Sequence, residues 1–100
     1  MNNTKWNEIR LGVCALKGPH PRYRARSIKS GLIGAWDGEW FHHFYGRHEE
    51  DEWVEIAVVS PAQRAAVLAV LRRVHVPGVA TDSGFKIFGY VEPGTPVDYL

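Results

Sequence analysis

Trp6, Ile9, Val13 and Leu16 recur at spacings of three, four and three residues, so the first apolar stripe follows the helical period and predicts an opening helix. Asn3 or Thr4 is placed to cap its start, and Lys17 with Gly18 closes it before Pro19. The pattern then changes. Gly18-Pro19-His20-Pro21 is turn-like, because each proline biases the residue before it away from helix. Arg22, Arg24 and Arg26 alternate with Tyr23, Ala25 and Ser27, so a strand here carries all three arginines on one face. Asp37-Gly38 lies between two apolar and aromatic runs and predicts a two-residue hairpin that pairs Trp36 with Glu39 and Leu32 with His43. Trp36 and Phe41 then share one face of the hairpin, Trp40 and Phe44 the other. Trp53 to Val59 reads as a third strand, with Val54, Ile56 and Val58 on one side and Trp53, Glu55 and Ala57 on the other.

Ser60-Pro61-Ala62-Gln63 is a helix start, with Ser60 as cap, Pro61 at the first helical position and Gln63 placed to complete a capping box. Val67, Leu68, Leu71 and Val74 form the buried stripe. Arg72, Arg73 and His75 suit the negative end of the helix dipole, and Pro77-Gly78 ends the element. Phe85 to Val91 is the last strand, with Phe85, Ile87 and Val91 on one face and Lys86, Phe88 and Tyr90 on the other. The order α-β-β-β-α-β over residues 1–100 predicts a single α+β domain, with two helices and a mostly antiparallel sheet of four or so strands. The strand-helix-strand run predicts a right-handed crossover that lays the last strand parallel to the third or to a near neighbour. The second helix is expected to cover Val54, Ile56, Val58, Phe85 and Ile87. Periodicity leaves open whether the first helix covers the reverse face.

A chain of 100 residues and 11.3 kDa fits one domain, and 45% hydrophobic with 12% aromatic residues is the make-up of a folded one. The single cysteine, Cys14, excludes an intrachain disulfide and fits a reducing compartment. No apolar run approaches the roughly 20 residues of a membrane span, and the polar start Met1-Asn2-Asn3-Thr4-Lys5 lacks a signal-peptide core. The expected setting is the cytoplasm, without membrane association.

The net charge of +1 hides a separation. Residues 1–30 carry seven basic side chains against Glu8, and residues 37–55 carry seven acids against Arg47. Such a chain either pairs its two halves internally or offers a partner two oppositely charged surfaces.

Candidate chemistry is sparse. His42, His43 and His48 with Glu49 or Asp51 could be read as a metal site. Neighbouring strand residues point to opposite faces, however, and no close Cys/His spacing supports zinc, so no metal or other cofactor is expected. Cys14 reads as a small buried hydrophobe, with only Lys17 one turn on to lower its pKa. Asp37 and Glu39 are explained by turn geometry, and the phosphate-cradling and nucleophile-elbow motifs are missing. The chain is therefore read as a non-enzyme.

Trp36-Asp37-Gly38-Glu39-Trp40-Phe41 with His43, Trp53-Val54-Glu55-Ile56, Ser60-Pro61-Ala62-Gln63-Arg64 and the opening Asn2-Asn3-Thr4-Lys5-Trp6 together resemble an uncharacterised family of bacterial proteins of about 100 residues. The resemblance spans nearly the whole chain and implies a bacterial cytosolic setting, a compact stand-alone domain and no assigned activity. In size and polar opening the chain is also similar to the immunity proteins that neutralise bacterial toxins, by type rather than by motif.

The expected function is a non-catalytic protein-binding domain, of immunity or inhibitor type. It docks on a basic protein partner through Glu49, Glu50, Asp51, Glu52, Trp53, Glu55, Phe88 and Tyr90, where acids steer encounter and rings supply desolvated contact. The alternative is a nucleic-acid-binding accessory protein that uses Arg22, Tyr23, Arg24, Arg26 and Lys29. Against it stand a pI near 8.0 and the acidic half of the chain.

Overall fold

The computed structural model of the chain describes residues 1–46 and 48–100; Arg47, the one base in the acidic half, lies outside the described residues. Among the described residues, two helices and four strands follow in the order α-β-β-α-β-β: α1 (Asn3–Cys14), β1 (Arg22–Ser27), β2 (Asp51–Ala57), α2 (Pro61–Val74), β3 (Gly78–Ala80) and β4 (Gly84–Phe88). All pairings in the sheet are antiparallel, and its spatial order is β1-β2-β4-β3. The α+β class holds, while the element order differs from the expected one at two places.

The first difference is the predicted hairpin. Its leading half, residues 32–37, lies along the outer edge of β1 through isolated bridges of Ile33 to Arg26 and Asp37 to Tyr23. Its second half does not return as a strand. Trp40 and Phe44 turn into the core, 1% and 2% exposed, and Trp40 Nε1 donates to the Pro21 carbonyl at 2.7 Å. A free ribbon with large rings on both faces has only one face next to a core, so folding back as a compact loop buries more apolar area. It also covers the β1 edge, which would otherwise present unpaired backbone groups.

The second difference is at the crossover. After α2 the chain enters the short strand β3, which runs in the same direction as β2, and a turn at Thr81, Asp82 and Ser83 sends β4 back between them. The last strand is therefore antiparallel to β2, not parallel to it. Pro77-Gly78, expected as a helix stop, leads into β3, which is too short to show a period in the sequence.

The helix ends follow local chemistry. In α1 the cap is Asn2, whose side chain accepts from Lys5 N at 2.9 Å, and the helix ends at Cys14, a turn before Gly18. In α2 Ser60 accepts from Gln63 N at 3.1 Å, and His75 closes the helix in the left-handed region with φ 64°. Trp6, Ile9 and Val13 of α1 join Val67, Val70, Leu71 and Val74 of α2 in one buried cluster with Val54, Ile56, Phe85 and Ile87 of the sheet. Gly12 permits the close approach of the two helices, since a Cβ there would come to 2.6 Å from Val70 Cγ1. Both helices thus lie on the same face of the sheet.

Candidate functional site

With both helices on one side, the other face of the sheet carries Arg24 and Arg26 from β1, Trp53 and Glu55 from β2, Val79 from β3 and Lys86 and Phe88 from β4. Trp53 stands opposite Phe88, and Lys86 Nζ lies 4.5 Å from the centre of the Trp53 ring. Tyr90, 46% exposed, follows just after β4. The C-terminal segment returns past this face, where Asp98 O accepts from Gly78 N at 2.8 Å and Tyr99 bridges Pro77. Between sheet and tail runs a groove of about 510 Å³, lined among others by Trp53, Phe88, Tyr90, Val79, Val97 and Asp98. The tail residues were not legible as site residues; the only local signal is the short apolar and acidic sequence Val97-Asp98-Tyr99-Leu100.

The charge separation is largely met inside the molecule. Strand pairing sets Arg24 beside Glu55, with Nε to Oε1 at 3.0 Å. Glu52 would by alternation point inward with Val54. The register shift between Arg26 and Ser27 leaves it as the extra residue of a bulge, and its carboxylate meets Arg26 Nη1 at 2.9 Å. Lys29 meets Glu50 at 2.9 Å, and this bond holds the Lys29 pKa above its usual value. Asp51 Oδ2 lies 2.8 Å from Nδ1 of His48, a largely buried imidazole stacked on Trp6. The partly exposed Arg24–Glu55 and Arg26–Glu52 pairs contribute on the order of 0.2–1 kcal/mol each.

Of the residues expected to bind a partner, the structure brings Glu52, Trp53, Phe88 and Tyr90 to one groove, with Glu55 beside Trp53 on the same strand. Glu49 and Glu50 lie on an exposed turn before β2. Of the expected nucleic-acid set, Arg24, Arg26 and Lys29 are ion-paired and Arg22 is exposed. Tyr23 requires a correction. It lies on the opposite face from the arginines, 9% exposed, with its ring against Trp40 and Phe44, so it offers no ring to a base. Burial, followed by the nearby Asp37 charge, pushes its hydroxyl pKa up.

Asp37 and Glu39 tie the loop after Asp37 together. Asp37 Oδ1 accepts from Glu39 N at 2.8 Å, and Glu39 Oε2 accepts from the backbone N–H of His42 (2.7 Å) and His43 (2.9 Å). His43 Nδ1 is 2.7 Å from Asp37 Oδ2, and His42 Nδ1 is 3.2 Å from Glu39 Oε1. The backbone N–H donors of His43 and His42 hold the Glu39 carboxyl below its ordinary 4.5, and the Glu39 N–H lowers Asp37 in the same way. A depressed folded-state pKa adds stability that is complete above the unfolded value and lost as pH falls through the folded one. Thermal unfolding followed from about pH 6 down to pH 3 is therefore expected to show a shallower decline in Glu39→Gln than in the wild type, with the Asp37 share remaining; identical slopes would remove Glu39 from this role.

Cys14 is half-buried, and burial pushes its thiol pKa up, which disfavours the thiolate. Among the described residues no group of three or more His, Cys, Asp or Glu is placed to hold a metal ion, and no helix is long and apolar enough to cross a membrane.

Among known proteins, neither the curated sequences nor the solved structures contain a significant match to this chain. A family model does match, over residues 1–94, and the chain thereby belongs to a family of unknown function, DUF6678.

Proposed function

We propose that this chain is a non-catalytic bacterial binding domain of the cytoplasm, which docks on a protein partner through the helix-free face of its sheet. The observation that supports this most is the placement of both helices on one face, which leaves Trp53, Phe88 and Tyr90 along a groove on the other. Tyr90 is exposed and Trp53 and Phe88 are half-buried; accessible rings beside a polar rim suit a protein contact, because they give desolvated area at little entropic cost. The partner's chemistry follows from the groove's charges. Arg26 and Glu52 neutralise each other, and Asp98 forms no ion pair among the described residues, so the groove suits an extended segment with an apolar anchor and a basic residue. The basic partner is thus met at Asp98 more than at the acidic turn, whose Glu50 is paired with Lys29. An immunity or inhibitor role adds that the partner is a toxin. The nucleic-acid alternative draws little from this geometry, with Arg24, Arg26 and Lys29 engaged and Tyr23 buried.

Selection of binders from a random peptide library tests this reading. The expected outcome is a consensus of an apolar or aromatic residue near Lys or Arg. Phe88→Ala should weaken binding by about thirtyfold or more, and Asp98→Lys should remove the preference for the basic residue. Selected peptides that bind the Phe88 and Asp98 variants as they bind the wild type would overturn the assignment.

A further inference from the structure

Arg10 is a charged side chain inside the molecule: it is 7% exposed, and no ion pair reaches it among the described residues. Arginine is seldom buried without an anion, because its guanidinium keeps its charge and loses hydration. Its acceptors here are neutral. Asn7 Oδ1 accepts from Nε at 3.2 Å and Nη2 at 3.1 Å, and the Phe41 carbonyl accepts from Nη1 at 2.6 Å. A guanidinium has five N–H groups, so these three bonds leave one on each Nη without an acceptor among the described residues.

The surroundings of that group are those of a small site. The Phe41 and Tyr45 rings each lie with their centres 4.9 Å from the guanidinium carbon, and they remain 54% and 69% exposed. Together with Arg10 and His42 they line a cleft of about 220 Å³ on the helix side of the molecule, separate from the groove. The Glu39 carboxylate in the same loop is engaged by the His42 and His43 backbone and by His42 Nδ1.

We infer that this cleft binds a small carboxylate ligand with a flat apolar body. The carboxylate takes the two open N–H groups of Arg10, and the body lies against Phe41 and Tyr45. A planar monoanion matches a single guanidinium, and apolar walls match an apolar body. A tetrahedral dianion such as phosphate calls for more donors than this cleft supplies.

The test is titration of the full chain with sodium benzoate, with benzamide as the neutral counterpart and inorganic phosphate as the bare anion, read from backbone amide chemical shifts. Benzoate should give saturable shifts centred on Arg10, Phe41, His42 and Tyr45. Benzamide and phosphate should bind at least about tenfold more weakly. Tyr45→Ala, at an exposed position, and Arg10→Lys should each weaken benzoate by about tenfold or more. Should Arg10→Lys fail to fold, Tyr45→Ala and the benzamide comparison decide alone. Equal binding of benzamide or phosphate, unchanged affinity in Tyr45→Ala, or shifts centred elsewhere would each overturn the inference.

Discussion

Gly84→Ala is expected to cost about 3 kcal/mol or more, although it adds a single methyl group. Gly84 opens β4 opposite Ala57, and a Cβ there would overlap the Ile56 carbonyl oxygen. That oxygen belongs to β2, which is paired on both sides, by β1 and by β4, so the obstacle is backbone that cannot turn aside as a side chain would. Relief requires the β2–β4 ladder to open beside Phe85 and Ile56, both fully buried. Gly38→Ala is the matched control. Nothing lies within 4 Å of a Cβ built there and its φ is not positive, so its stability should stay within about 0.5 kcal/mol of wild type. Urea unfolding midpoints of the two variants measure the difference, and equal midpoints would mean that β2 and β4 are not packed this tightly.

Trp40→Ala should cost a similar amount, about 3–5 kcal/mol, with consequences reaching well past position 40. Trp40 is 1% exposed, packs against Tyr23 and Phe44, and ties the loop to Pro21 through Nε1. The loop it belongs to has no regular secondary structure, so this ring and Phe44 are its main apolar attachment to the core. Trp40→Phe keeps one aromatic ring in the core but removes the pyrrole part with its Nε1 donor, leaving the Pro21 carbonyl unmet at a cost of about 1–3 kcal/mol. Calorimetry orders the two, and amide exchange should show the Asp37 to Phe44 stretch losing protection in the alanine variant first. If both substitutions cost the same, the hydrogen bond and not the ring's volume fastens the loop.

The start of α2 is legible in the chain because Ser60, Pro61 and Gln63 act within one turn of each other, and the inward faces of β2 and β4 are legible from alternation alone. Asp37-Gly38 is an equally local signal, yet residues 38–40 form neither the expected hairpin turn nor a strand. The path of the chain beyond Asp37 depends on whether Trp40 and Phe44 find a core or a partner strand, and their neighbours Tyr23 and Trp6 are distant in sequence. The strand β3 gives no periodic signal in three residues.

The groove rings on the strands could be named from the chain, since Trp53 and Phe88 alternate with core positions. Asp98 and Val97 could not, because backbone contacts of the tail with residues 76–78, such as Gly78 N to Asp98 O, bring them to the groove. Arg10 was likewise hidden: on a helix facing solvent it would be an ordinary charged residue, and only the loop folding over it buries it.

The α+β class, both helices, the inward faces of β2 and β4 and the segregation of charge were thus written in the chain, because each is a matter of spacing, capping or composition over a few residues. Long-range packing decided that both helices share one side of the sheet, that β4 inserts between β2 and β3, and that the arginines of β1 neutralise the acids of β2. The physical reason is that these outcomes are set by burial and by charge pairing between segments far apart in the chain, and no local pattern encodes which distant surface a stripe will meet.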